Sequence, residues 1–141
     1  METHAKTALT VETIVNASPE KVWSTWTDPK HITQWCSASD DWHAPHAEND
    51  LKVGGKFKTT MAARDGSISF DFEGTYTNVQ PGSVIGYTME DGRKVEITFS
   101  EEIGNTKVVE TFEAETTNSL EQQQQGWQAI LDNFKKYTEA R

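Results

Sequence analysis

Apolar residues recur along this chain mostly at every second position, and then, near the C-terminal end, at every third or fourth. The first period marks half-buried strands and the second a helix with one face on a core. From Thr7 to Val15, Leu9, Val11, Ile14 and Val15 predict a first strand. Ser18-Pro19 and Asp28-Pro29 each put a capping side chain before a proline, whose missing N–H falls where the first helical turn has no partner for one. They predict two short helices joined end to end. The first carries Val22, Trp23 and Trp26 inward, and the second runs through Ile32 to about Trp35.

The segment from Cys36 to Ala47, CSASDDWHAPHA, has no period and contains a proline, so a loop is expected there. A strand is expected over Glu48–Val53, then a bulge or tight turn at Gly54-Gly55. Lys56 to Met61 follows as a strand with Phe57, Thr59 and Met61 on one face. Asp65-Gly66 signals a hairpin. Beyond it Ile68, Phe70, Phe72 and Tyr76 alternate on one side of a strand, with Asp71 and Glu73 on the other. Pro81-Gly82, Asp91-Gly92 and Gly104-Asn105 then separate strands at Val84–Met89, Val95 to Phe99, and Lys107–Glu113. In the last of these Val108, Glu110 and Phe112 share one face, and Val109, Thr111 and Glu113 the other. Glu110 is an internal carboxylate in one phase and a solvent-side group in the opposite phase.

The final helix is expected from about Asn118 to Glu139. At about 100° per residue, Leu120, Trp127, Ile130, Leu131, Phe134 and Tyr137 fall on one arc roughly 120° wide. Gln123 falls inside the same arc, whereas Glu121, Gln125, Gln128, Asp132, Lys135 and Glu139 lie opposite. Asn118 and Ser119, followed by Glu121 and Gln122, supply a capping box in either register. The order is therefore one strand, two short helices, six strands joined mainly by tight turns, and a long helix. This is an α+β arrangement with an antiparallel meander, expected to form a single domain over residues 1–141. A twisted sheet of about seven strands curls, and one amphipathic helix does not fill its concavity, so space between helix and sheet is expected.

Charge narrows the function. A net charge of −9 repels phosphate backbones and anionic lipid, which argues against nucleic-acid and membrane-surface partners. The single cysteine, Cys36, has no internal disulfide partner, no apolar run approaches the roughly 20 residues that span a bilayer, and METHAKTALT lacks the features of a secretion signal. A cytoplasmic protein is expected, as a monomer or homodimer.

At this point the residues carry a resemblance. Ser18 to Trp23 (SPEKVW), Asp28-Pro29 with Trp35, Asp50 to Phe57 (DLKVGGKF), Phe72 to Tyr76 (FEGTY) and Gly126 to Leu131 (GWQAIL) resemble the Hsp90-ATPase-activator-like branch of the START-related superfamily. The resemblance implies a helix-grip (START/Bet v 1-like) fold, in which a curved antiparallel sheet grips the C-terminal helix and the gap holds an apolar ligand or a substrate. Relatives include lipid carriers, plant hormone receptors, polyketide cyclases and a co-chaperone domain, and the fold fixes none of these activities.

Among single residues, Trp23, Trp26 and Trp127 are core candidates by their helical spacing. Trp35 and Trp42, at a helix end and in the expected loop, stand where a cavity mouth belongs. Phe57, Met61, Phe70, Phe72, Tyr76 and Tyr87 are core and cavity lining at once, and Ile130 joins Trp127 on the helix face. Gln123 and Glu110 are candidate polar anchors, which either satisfy each other or hold a ligand. For catalysis the candidates are His43, Glu110 and Tyr76. His43 and His46, with Cys36, Asp40 or Asp41, do not make a convincing metal set, since zinc sites need three or four ligands in fixed geometry. With no phosphate loop or dinucleotide fingerprint, no cofactor and no metal are expected. Binding of a small apolar or aromatic molecule ranks first, and a cyclase- or hydrolase-like reaction in the same cavity second. Action on Hsp90 ranks third, because the two-domain activators resembled carry an additional chaperone-engaging domain.

Overall fold

The computed structural model describes residues 7–37 and 39–141. Residues 1–6, most of the opening read above for a secretion signal, lie outside the described residues, as does Ala38. In chain order the elements are β1 (Ala8–Val15), α1 (Pro19–Thr27), α2 (Pro29–Trp35), β2 (Trp42–Asn49), β3 (Lys56–Ala63), β4 (Ser69–Gln80), β5 (Val84–Met89), β6 (Lys94–Glu102), β7 (Asn105–Glu113) and α3 (Leu120–Ala140). The strands form one antiparallel sheet in the order β1-β7-β6-β5-β4-β3-β2. Because β1 pairs with the last strand while β2 lies at the far edge, α1 and α2 carry the chain across the sheet's open side. The sheet curls around α3, as the resemblance implies.

Local chemistry explains the helix starts. Ser18 and Asp28 accept hydrogen bonds from Lys21 N and Lys30 N, with proline at the first helical position in both cases. Ser119 and Gln122 close a reciprocal capping box on α3, choosing the second of the two registers. Leu131 and Phe134 are fully buried on its inner face. Leu120, expected on that face, is 46% exposed, because it begins the first turn, where the chain is still arriving over the rim.

Two positions expected in water serve the fold instead. Gln128 Nε2 and Lys135 Nζ donate to the carbonyls of Glu12 and Ile14, and Gln124 Nε2 donates to Thr10 O. These alternate carbonyls belong to the free edge of β1. The helix thereby caps a sheet edge that would otherwise present unpaired acceptors.

The largest departure from expectation is β2. Of the segment read as a loop, Cys36–Ala47, the part from Trp42 onward is strand, and of the strand expected at Glu48–Val53 only Glu48 and Asn49 belong to it, Val53 being exposed in a turn. Pro45 is tolerated because β2 is an edge strand whose pairing with β3 shifts register between His43 and His46. Gly54 turns the chain at a φ of +85° and donates to Tyr76 O, tying this turn to β4. The face of β4 also needs correction at its start. Ile68 precedes the strand and is 57% exposed, and Phe70, 50% exposed, meets Trp42 at the end of the β3–β4 hairpin. No helix among the described residues is long and apolar enough to cross a membrane.

Candidate functional site

Between the curled sheet and α3 lies a cavity of about 450 Å³, within the usual range for small-molecule sites. Strand alternation builds its floor. Phe57, Thr59 and Met61 project from β3, Phe72 and Tyr76 from β4, Ile85 and Tyr87 from β5, and Glu110 from β7. Gly74, which pairs with Phe57, has no side chain because a Cβ would lie 2.7 Å from the Phe57 ring. Its absence lets Phe57 pack against Phe72, Tyr76 and Tyr87.

The roof is α3, through Gln123, Gly126, Trp127 and Ile130. Trp127 stacks on Phe112 with centroids 3.9 Å apart and planes 6° from parallel. One end is closed by Trp26 and Trp35, which pack on each other and both on Phe134. Trp35 is buried and donates through Nε1 to Thr25 O at 2.9 Å, so its ring orientation is fixed by α1. Trp42 and Phe70 stand at the opposite rim together.

The phase of β7, open in the sequence, puts Glu110 inward. Its cross-strand neighbours are Val11 on β1 and Ile97 on β6, both essentially buried. Glu110 is 6% exposed, and no hydrogen-bond donor serves its carboxyl group among the described residues. Burial pushes its pKa up to about 8, so it holds its proton at neutral pH. Burial likewise raises the Cys36 thiol to about 12, with a smaller contribution from Glu110, which leaves that thiol unreactive.

Gln123 and Glu110 do not satisfy each other. Gln123 Oε1 accepts from Glu115 N, and Nε2 donates to Glu115 O and Asn118 O, at 2.8, 3.1 and 2.9 Å. The amide fixes the connection from β7 into α3 and has both its donor hydrogens engaged. Gln123→Leu is therefore expected to lower stability by about 2 kcal/mol, since three bonds of roughly 1 kcal/mol are lost and part of the freed backbone reaches water. A denaturant titration checks this, and an unchanged midpoint would contradict it.

The three acid–base candidates do not converge. Glu110 and Tyr76 line the cavity but His43 does not. Tyr76 donates its hydroxyl to Asn49 Oδ1, and Asn49 in turn donates to Thr27 O at the end of α1. Burial raises the Tyr76 pKa, so it is no acid near neutral pH. His46 pairs with Glu48 on the exposed edge of β2. Among the described residues no three His, Cys, Asp or Glu side chains are grouped as metal ligands.

Sequence reasoning placed Trp26 in the core alone, although it also lines the cavity, and the lining residues it missed include Cys36, Thr59, Ile85, Arg93 and Gly126. Thr59 was legible from its alternation with Phe57 and Met61. Gly126 was a gap one residue before Trp127 on the apolar arc. Arg93 lies in a turn, where periodicity carries no signal. It is held there by Asp91, which its Nε meets at 2.8 Å.

The family described as Activator of Hsp90 ATPase homolog 1-like protein matches residues 16–139. The chain belongs to this family. Among solved AHSA1-like structures, the one from Aeromonas hydrophila is 48% identical, with a TM-score of 0.90, over 95% of this chain and 93% of that one. The solution structure of Chr148 from Cytophaga hutchinsonii is 56% identical, with a TM-score of 0.81, over 93% and 91% of the two chains. CV1439 from Chromobacterium violaceum, 23% identical over 94% and 98% with a TM-score of 0.85, shares the fold. No curated protein matches the chain. The AHSA1-like membership and these structures agree with the helix-grip architecture.

Proposed function

We propose that this AHSA1-like chain is a cytoplasmic binding protein that holds a small, largely apolar or aromatic molecule between the curled sheet and α3. The observation that carries this reading is the space itself. About 450 Å³ is left open in the middle of the domain, walled by Trp35, Phe57, Phe72 and Trp127. A domain selected for stability alone would close such a void, because unfilled apolar volume is destabilising. Against a reaction in the same space stands the separation of His43 from Glu110 and Tyr76. On this reading the chaperone named in the family description is not the occupant of the site.

Gly126 provides the test. A Cβ at this position meets nothing within 4 Å, and the residue lines the cavity. Gly126→Leu is expected to occupy part of the space from the helix side. It should also raise stability by about 1 kcal/mol, since leucine is the better helix former. The wild-type chain, purified without denaturation, is expected to carry an added small-molecule mass in native mass spectrometry or to be thermally stabilised by apolar aromatic compounds. Gly126→Leu should weaken both. Equal ligand binding by the folded variant would overturn the reading.

A further inference from the structure

Besides the Thr59 hydroxyl, three buried polar groups on the cavity wall lack a side-chain hydrogen-bond partner among the described residues: the Glu110 carboxyl, the Tyr87 hydroxyl and the Cys36 thiol. They arrive from β7, β5 and the end of α2, and all three are buried. All three line the same cavity, and Tyr87 and Glu110 stand two strands apart on the inner face of the sheet, opposite Val95 and Ile97 of the intervening β6. Native interiors rarely leave such groups unpaired, so each requires an explanation. The same cavity shows the usual behaviour nearby, where Tyr76 is bonded to Asn49 and Gln123 to the loop before α3.

The thiol and the phenol carry their hydrogen at neutral pH in any case, and burial, which raises Glu110 from 4.5 to about 8, keeps one on the carboxyl as well. Each therefore has a hydrogen to donate, and no acceptor is placed for it among the described residues. We propose that the cavity takes an uncharged apolar or aromatic molecule bearing a carbonyl-type acceptor, seated against Glu110 and Tyr87. The proposal deepens the binding reading above and rests on it. A carbonyl oxygen has two lone pairs, and so has the capacity to accept from two donors. A carboxylate ligand would be buried without a free counter-charge, because Arg93, the cation on this wall, is engaged by Asp91. A cationic ligand would need Glu110 ionised between Val11 and Ile97, with Arg93 on the same wall.

Four probes with one ring system and different polar ends test this: acetylnaphthalene, ethylnaphthalene, naphthoate and naphthylmethylamine. They are titrated into the full chain at neutral pH, with calorimetry or tryptophan fluorescence as the readout. Acetylnaphthalene is expected to bind about tenfold tighter than ethylnaphthalene, as one to two net hydrogen bonds would give. It should also bind tighter than either charged probe. Glu110→Leu and Tyr87→Phe are each expected to remove most of the preference for the ketone over ethylnaphthalene. Glu110→Gln, which retains an N–H donor, should preserve it.

Equal affinity for ketone and hydrocarbon in the wild type would overturn this proposal and leave the cavity-binding reading standing. So would a preference that survives both Glu110→Leu and Tyr87→Phe, or tightest binding of a charged probe. Failure of all four probes to bind would overturn both.

Discussion

Glu110→Leu is expected to raise stability at pH 8 and above by several kcal/mol, ~3 or more, although it removes the one carboxyl group on the inner face of β7. The reason is linkage. An unfolded glutamate titrates near its ordinary value of 4.5, while burial holds Glu110 at about 8 in the folded chain. Between those values the native state keeps a proton that the unfolded state has released, so rising pH favours unfolding. The contribution is fully present below about 4.5, declines by ~1.4 kcal/mol for each pH unit through the window, and levels off above about 8. Denaturant titrations across this range are expected to show a wild-type slope that Glu110→Leu flattens. A parallel pH dependence in both proteins would mean that Glu110 is solvated or paired in solution.

Phe134→Ala is expected to produce the largest loss, about 4 kcal/mol. Phe134 is fully buried on α3, and its ring packs edge-to-face with both Trp26 and Trp35, with centroids 4.8 and 4.9 Å away. Its removal opens a void that two indoles, one of them anchored through Nε1, are poorly placed to fill. The end wall of the cavity should loosen with it. Unfolding midpoints measure the first effect, and weaker binding of any cavity probe measures the second. A loss below about 1 kcal/mol would show that the cluster repacks.

The strands from β3 to β7, the three helices and their caps were legible in sequence because each rests on local chemistry. Alternation, Ser or Asp before proline, and Asp-Gly turns act over a few residues. β2 was not legible, for its Pro45 argues against a strand unless the strand is known to be an edge with a bulge, and that is a fact about neighbours. Leu51 and Val53 mimic strand period inside a turn for the same reason.

The site divided along the same line. Which side chains are apolar, and that Phe57, Met61, Phe72, Trp127 and Ile130 share inward faces, followed from period alone. Periodicity could not distinguish Trp26 as wall from Trp26 as filler, since both positions are inward. The phase of Glu110 was undecidable because valine and phenylalanine stand on its face and valine and threonine on the other. Only pairing with Val11 and Ile97 turned the carboxyl inward and raised its pKa. Gln123 fell in the apolar arc by sequence, and only the path of the chain through Glu115 and Asn118 gave its amide three partners. Sequence determined the faces, because a side chain's direction follows from its own backbone. Tertiary structure decided what each polar group meets, because hydrogen bonds and desolvation depend on groups brought together from distant parts of the chain.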